Sequence, residues 1–177
     1  MNKKLIALAL FAGSVSVVQA ADGTIKFTGN VTETACEVQS DASVALGNIQ
    51  KSAFLSGAGA TAGATRFTIT LTNCPISTTS ATVKFDGTAN STNSSLLALN
   101  TGSTAKGLGV ALFEADGSTP IPLATASNAI TLATTTGADE SAVNRATATY
   151  VAKYMSTAAA VTAGTADATT NFTVSYN

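Results

Sequence analysis

The 177-residue sequence contains no histidine and no tryptophan, and it has only two cysteines. Without histidine the chain cannot form a Ser-His-Asp triad or a histidine metal site, and two cysteines are too few for a zinc cluster. Charged residues make up only 11% of the chain, and the formal net charge is −1. A chain with so little positive charge lacks the basic surface that binds phosphates or anionic lipids. We therefore expect no nucleic-acid partner and no polybasic attachment to a membrane.

No motif in the sequence indicates catalysis or a cofactor. The glycine-rich stretch at residues 57–63 has the wrong spacing for a dinucleotide-binding fingerprint and lacks the Gly-Lys-Ser/Thr of a phosphate loop. Composition leaves a Ser–Lys nucleophile pair open, but no local motif supports one. We expect a protein that is not an enzyme and that holds no metal ion or cofactor.

The first twenty residues have the pattern of a secretory signal peptide. Two lysines near the N-terminus precede an apolar run of 14 residues, 5–18, and Val18 and Ala20 place small residues at −3 and −1 of a cleavage site. The alternatives are a buried helix or a membrane anchor, but the run is shorter than the roughly 20 residues that a spanning helix needs. We predict that residues 1–20 are removed and that the exported chain begins at Ala21, with no membrane insertion.

Threonine and alanine together supply more than a third of the chain, with 30 and 34 residues. Threonine favours strands, and apolar residues recur here with a period of two, whereas long helical periods are absent. Short strands separated by turns that contain glycine, asparagine or aspartate are typical of an all-β sandwich. We predict strands at 23–31, 44–46, 66–73, 81–86, 96–99, 108–112, 130–132, 145–154 and 170–176, and a loop at 51–65 with a helical turn at 52–55.

Export makes a disulfide between Cys36 and Cys74 the expected state of the two cysteines, because oxidising compartments form and keep such bonds. Two buried free thiols are the alternative. A bridge would close a loop of 37 residues, for which the chain-entropy model gives about 3 to 4 kcal/mol of stabilisation. It would join the first strand of the folded domain to the second.

The two ends of the exported chain carry the clearest alternation. The simplest interpretation is that both ends pair as ordinary strands within one complete sandwich, and periodicity alone does not reject it. One face of the N-terminal segment carries Gly23, Ile25, Phe27, Gly29 and Val31, and the C-terminal segment aligns Phe172, Val174 and Tyr176 on one face.

These features together resemble the pilin subunits of chaperone-usher fimbriae, and most closely the major subunit of type 1 fimbriae. The resemblance extends over essentially the whole chain. The C-terminal match is the sharpest, with a penultimate Tyr176, alternating Phe172 and Val174 before it, and a glycine, Gly164, fourteen residues from the end. The other matching features are the signal, the alternating N-terminal extension, the spacing of Cys36 and Cys74, and the segments 83–87 (VKFDG) and 150–154 (YVAKY).

The resemblance implies an incomplete immunoglobulin-like β-sandwich that lacks its final strand. A periplasmic chaperone fills the resulting groove first, and an outer-membrane usher then exchanges the chaperone strand for the N-terminal extension of the next subunit. This donor-strand exchange is a form of β-strand addition. It implies a homopolymer of identical subunits in an extracellular fimbria on the cell surface, reached through the periplasm, which supports cell adhesion.

The resemblance also assigns residues to these roles. Residues 21–35 become the donor-strand extension and residues 36–177 the pilin domain. Ile25, Phe27 and Val31 are expected to enter the groove of a neighbouring subunit, with Gly23 and Gly29 on the same face. The edge of this subunit's own groove, which also binds the chaperone, is expected to contain Gly164, Phe172, Val174 and Tyr176.

Three other functions compete with that of a shaft subunit. A minor or adaptor pilin of the same system has the same fold and is the nearest alternative. A carbohydrate-binding adhesin normally has an additional binding domain, and about 157 residues after the signal leave no room for one. A complete, self-contained secreted sandwich would be a stable monomer when expressed alone.

Overall fold

The computed structural model describes Lys26, Thr28 and the ranges 36–41, 43–136 and 141–177. The chain divides into two compact units, residues 1–32 and 33–177. In the first unit only Lys26 and Thr28 are described, and both are exposed. The predicted signal peptide lies outside the described residues, and so does the predicted strand at 23–31 apart from Lys26 and Thr28. The architecture below is that of the second unit.

The described residues form two antiparallel sheets and one 3-10 turn, at Lys51–Phe54. The strands are β1 (Glu37–Ser40), β2 (Thr61–Cys74), β3 (Ser80–Asp86), β4 (Leu108–Glu114), β5 (Pro120–Ile121), β6 (Ile130–Thr131), β7 (Ala133–Thr136), β8 (Ala142–Ser156) and β9 (Asn171–Tyr176). The larger sheet has the order β1-β2-β8-β4-β5, with β7 also paired to β8, and the smaller sheet has the order β6-β3-β9.

Strands β2 and β8 form the centre of the larger sheet. Phe67, Ile69 and Leu71 of β2 are buried, whereas the threonines between them are only partly covered. This is the alternation expected of a strand with one face on the core. The two strands pair antiparallel over most of their length, with Phe67 opposite Tyr150.

The smaller sheet is organised around β3. Its alternate residues Ala81, Val83 and Phe85 are at most 1% exposed. On one side β3 pairs with β6, and on the other side it pairs with β9 from Asp86 to Ala81. The buried side chains of this sheet and of the larger sheet belong to one core cluster, which makes the fold an immunoglobulin-like β-sandwich.

Three aromatic rings join the two sheets at the centre of the core. Phe67 and Phe85 lie edge to face with their ring centroids 5.9 Å apart, and Phe85 and Tyr150 do the same at 5.2 Å. The Tyr150 hydroxyl donates to Ser127 Oγ at 3.2 Å, and Ser127 Oγ also accepts the backbone N–H of Val83 at 3.0 Å. The one polar atom of the cluster is therefore satisfied, as burial requires.

Most of the predicted strands are present, and the helical turn predicted at 52–55 is a 3-10 turn that begins one residue earlier. Two predicted short strands are wrong. Residues 44–46 keep alternating burial, but no described strand pairs with their backbone. Residues 96–99 contribute only isolated bridges through Leu97. The predicted loop at 51–65 ends earlier, because β2 begins at Thr61, and strand β1 was not predicted.

Cys36 and Cys74 form a disulfide, as the sequence predicts for an exported chain. Cys36 immediately precedes β1, and Cys74 is the last residue of β2 and is fully buried. Since β1 pairs with β2 through only four residue pairs, the covalent bond supplies much of what holds β1 to the sheet.

We expect Cys36→Ser to lower the free energy of unfolding by about 3 to 4 kcal/mol, because it releases a loop closed in the unfolded chain. For a domain of this size that corresponds to a melting temperature lower by about 10 °C. The double variant Cys36→Ser/Cys74→Ser is the control and should lose the same amount, since the same bond is absent. An unchanged melting temperature and an unchanged periplasmic yield would contradict a stabilising role.

Candidate functional site

An open apolar cleft lies between the two sheets beside β9. One rim is the extended segment 43–48, and the other rim is the segment 166–172, which leads into β9. The cavity between them measures about 680 Å³. The residues that form its floor come from β2, β3, β4, β8 and the loop before β4, and they are Phe67, Ile69, Phe85, Leu97, Val110, Leu112 and Ala152.

Strand β9 is an edge strand within the described part of the chain. It pairs with β3 on one side, and no described strand pairs with its other side. Phe172 and Val174 face the core but are only half-buried, whereas their partners across the pair, Phe85 and Val83, are fully buried. The backbone donors and acceptors of this edge are therefore available to a further strand, and the apolar cleft lies beside them.

A second cavity of about 460 Å³ continues the cleft beyond Tyr154. Gly47, Asn48, Tyr154, Ala166 and Asp167 line both cavities, so the two are consecutive parts of one path. The path follows the segment 161–172 on one side and the segment 43–51 on the other. Two runs of chain, of 12 and 9 residues, therefore flank the path.

Tyr154 lies where the two parts of the cleft meet. Its hydroxyl donates to the carbonyl oxygen of Ala166 at 2.8 Å, which links β8 to the segment that leads into β9. Burial raises the pKa of Tyr154, and the negative charge of Asp167 raises it further. The hydroxyl therefore stays protonated and remains a donor at neutral pH.

Gly164 lines the second cavity at a point where the chain approaches another loop closely. A Cβ atom at this position would lie 2.5 Å from the backbone nitrogen of Ala105 and 2.7 Å from the carbonyl carbon of Thr104. Contacts this short with backbone atoms require the loop to shift. Because residue 164 has no side chain, the backbone of the segment that lines the cleft can pack directly against residues 104–105.

Two carboxylates and one ammonium group line the cleft. The Asp41 carboxylate accepts the backbone N–H of Thr68 at 2.7 Å and its hydroxyl at 3.2 Å. Asp167 lines both cavities, and Lys51 lines the second one. Apart from these three charged residues, the lining of the cleft consists mainly of apolar and small residues.

The predicted groove-edge residues are brought to the same region of the fold. Phe172 lines the first cavity and Gly164 the second. Val174 and Tyr176 continue the inward-facing row of β9, and burial raises the pKa of Tyr176. Their roles in binding stay predictions. The predicted donor residues Gly23, Ile25, Phe27, Gly29 and Val31 lie outside the described residues.

Sequence reasoning missed several residues of the cleft. Within the rim segment 43–48, residues 44–46 were predicted as an ordinary short strand, and neither Tyr154 nor Asp167 was predicted as a site residue. Alternation of Val44 and Leu46 was a signal for the rim, since both pack against the core cluster. No comparable local signal marks Asp167, which lies in a stretch rich in alanine and threonine.

Neither a metal-ligand cluster nor a membrane-spanning helix is found in the described ranges. Within residues 36–41, 43–136 and 141–177 no group of three or more metal-ligating side chains comes together. In the same part of the chain no helix has the length and apolar character needed to cross a bilayer. The arrangement of the cleft instead suits β-strand addition, in which backbone hydrogen bonds and alternate side chains are both used.

Comparison with known sequences identifies relatives over nearly the whole chain. The chain is 32% identical over 180 residues to the probable major fimbrial subunit LpfA of Escherichia coli O157:H7, which covers 97% of this chain and 93% of that protein. It is 34% identical to a type-1 fimbrial protein subunit of Serratia marcescens, with 99% of each chain covered. It is 36% identical to the type-1 fimbrial protein A chain of Escherichia coli, over 87% of this chain and 82% of that one.

Solved structures share the fold. A Burkholderia pseudomallei antigen and type I fimbria protein superposes with a TM-score of 0.57 at 35% identity, over 82% of this chain and 91% of that chain. A tip adhesin from Pseudomonas aeruginosa is similar in fold alone, with a TM-score of 0.52 at 20% identity over 70% of this chain and 33% of that one. The model of the family described as fimbrial protein matches residues 25–177. From this match and these relatives it follows that the chain belongs to the fimbrial protein family.

Proposed function

We propose that this protein is a structural subunit of a bacterial surface fimbria and that it polymerises by donor-strand exchange. Residues 21–35 of one subunit act as the donor strand, and the pilin domain at 36–177 accepts the donor of its neighbour. The observation that carries the proposal is the apolar cleft beside the edge of β9 with which no described strand pairs. The curated relatives named above are themselves fimbrial subunits by their descriptions.

The cleft and the N-terminal segment are complementary in chemistry. The segment alternates apolar and polar residues, and the cleft has an apolar floor with Asp41 and Asp167 at its margins. Insertion of Ile25, Phe27 and Val31 would bury three apolar side chains at about 1.5 to 3 kcal/mol each. Gly23 and Gly29 carry no side chain, so they would fit where the cleft has little depth, for example beside the Tyr154 side chain.

Backbone pairing supplies the second part of the affinity. A donor strand beside β9 would satisfy the donors and acceptors that β3 does not use. The contact joins two different surfaces, the extension of one subunit and the cleft of the next. Such a heterologous contact propagates into an open filament and does not close into a small ring.

An exposed edge strand beside an apolar cleft is an aggregation hazard before assembly. A periplasmic chaperone that supplies a temporary strand would protect the subunit, with Phe172, Val174, Tyr176 and Gly164 at the contact. An outer-membrane usher would then exchange this strand for the next subunit's extension. We infer export through the periplasm after removal of residues 1–20, a final location in a fimbria outside the cell, and a role in adhesion without catalysis.

Among fimbrial subunits, we assign this chain to the shaft, as in the major subunit of type 1 fimbriae. The relatives include a probable major subunit and type-1 subunits, with similarity over nearly their full length. Immunogold electron microscopy of cells that express the chain with its chaperone and usher should show label along the whole fibre. Label confined to fibre tips would instead indicate a minor or adaptor pilin, and a stable soluble monomer without fibres would contradict the proposal altogether.

A further inference from the structure

In donor-strand pairing, the inserted strand can in principle align with the cleft at more than one residue offset, and only one offset is correct. Because side chains alternate with a period of two, a slip of one residue would turn Ile25 and Phe27 away from the cleft. A slip of two residues keeps an alternate row facing the cleft and keeps the backbone ladder. Alternation therefore excludes odd slips. An even slip is opposed by the glycines, because it would place Phe27 where Gly29 belongs or Ile25 where Gly23 belongs. A charged contact on the other face of the strand would add to this selection of one register.

Asp167 occupies a position from which it can make such a contact. Exposure alternates without interruption from Thr165 to Tyr176, with odd-numbered residues exposed and even-numbered residues half-buried. Asp167 therefore lies on the solvent-facing row of the segment that borders the cleft. The other members of this row are uncharged and are Thr165, Thr169, Asn171, Thr173 and Ser175.

The backbone of Asp167 is fixed, whereas its carboxylate is free of described partners. Its N–H donates to Ser103 Oγ at 3.1 Å, and its carbonyl accepts the N–H of Asn100 at 2.7 Å. No hydrogen bond or ion pair joins the Asp167 carboxylate to another residue of the described ranges. The other carboxylate of the cleft, Asp41, is already occupied by two hydrogen bonds from Thr68.

The donor segment has one matching charge. Lys26 is the only basic residue between positions 21 and 35. It lies between Ile25 and Phe27, so when these two face the cleft Lys26 faces solvent on the same side as Asp167. Opposite charges directly across a strand pair attract, and like charges there repel.

We propose that Lys26 of one subunit pairs with Asp167 on the cleft rim of the next subunit and thereby selects the register of the inserted strand. The inference rests on the proposed donor-strand exchange and adds the residues that determine its specificity. It concerns the solvent-facing row, whereas the affinity of the joint comes mainly from the apolar row. The pair distinguishes the correct register from slips of two residues, which place Lys26 opposite uncharged side chains.

The test is a charge-exchange cycle in fibres assembled from the full chain. Four versions are compared, namely the unchanged chain, Lys26→Glu, Asp167→Lys and the double variant. Each single reversal places like charges at every joint, and the double variant restores opposite charges. We expect each single reversal to increase the rate of fibre dissociation in urea about five-fold and the double variant to return it to near the original value.

Two controls separate the contact from other effects of charge. Glu37→Lys makes the same change in net charge as Asp167→Lys but lies on β1, and it should leave dissociation unchanged. Recovery of each variant as a chaperone complex shows that it is folded. Raising NaCl from about 0.05 M to about 0.5 M should accelerate dissociation of the unchanged fibres and slow that of the single reversals, because salt screens exposed charges.

The outcomes distinguish the two proposals. If the unchanged chain forms no fibres, or its fibres do not depend on residues 21–35, donor-strand exchange itself is wrong. If fibres depend on that segment but single reversals dissociate at the original rate, only the Lys26–Asp167 pair is overturned. The same holds if the double variant dissociates as fast as the single variants. If single reversals abolish fibres, their return in the double variant supports the pair and their continued absence overturns it.

Discussion

Phe27→Asp should abolish fibre formation while leaving the complex with the periplasmic chaperone intact. In the proposed joint Phe27 enters the apolar cleft of a neighbouring subunit, whose floor includes Phe67, Ile69 and Leu112. A carboxylate at that position would lose the burial of the ring, about 1.5 to 3 kcal/mol. It would in addition be desolvated without a partner, which costs several kcal/mol more. In the proposed chaperone complex, the contact would use the cleft and β9 of the same subunit and would not involve its residue 27.

Thr28→Asp is the matched control for this variant. It introduces the same charge one position further along, on the face that alternation directs toward solvent, and Thr28 is exposed. Electron microscopy should show fibres of ordinary length for Thr28→Asp and none for Phe27→Asp, with equal amounts of chaperone complex from both. Fibres of ordinary length from Phe27→Asp would show that the donor face has been assigned wrongly.

Phe85→Ala should destabilise the pilin domain itself. Phe85 is 1% exposed, its ring contacts Phe67 and Tyr150, and it pairs across the sheet with Phe172 at the edge of the cleft. Truncating a buried phenylalanine costs about 3 to 5 kcal/mol, because a cavity replaces the ring. A loss of this size is a large part of the stability of a domain. We expect a melting temperature lower by about 10 °C and less chaperone complex in the periplasm.

The neighbouring Lys84→Ala provides the comparison for Phe85→Ala. Lys84 lies on the same strand but faces solvent, where it forms an ion pair with Asp86 at 3.2 Å. Exposed pairs of this kind contribute between 0 and about 1 kcal/mol, so the variant should melt close to the unchanged protein. Equal melting temperatures for Lys84→Ala and Phe85→Ala would show that the aromatic cluster does not hold the two sheets together.

The sheet interior was predictable from the sequence because its signal is local. Phe67, Ile69 and Leu71 alternate with threonines, and the structure buries these three residues in β2. The same signal predicted β9 from Phe172 to Tyr176. When every second side chain of a strand packs against the other sheet, the alternation of apolar and polar residues is sufficient to identify that strand.

The rims of the cleft were less predictable because they depend on contacts between distant segments. Val44 and Leu46 alternate like a strand, yet no described strand pairs with their backbone, and a local pattern cannot reveal a missing partner. Gly164 is required by the approach of Thr104 and Ala105, which are about sixty positions away in sequence. Asp167 lies in a stretch that looks like a loop, and its position on an ordered row became visible only in the structure.

The disulfide has a mechanical consequence for a filament under tension. In the proposed assembly, pulling force enters a subunit through the strand held in its cleft and leaves through its own extension, which joins the domain at Cys36. Strand β1 would detach early on this path, because only four residue pairs attach it. The bond from Cys36 to Cys74 instead delivers the load to the end of β2, a strand of 14 residues that is paired along much of its length with β8. In such a fibre, traction would be borne by the longest described ladder of the domain, and the short strand β1 would be bypassed.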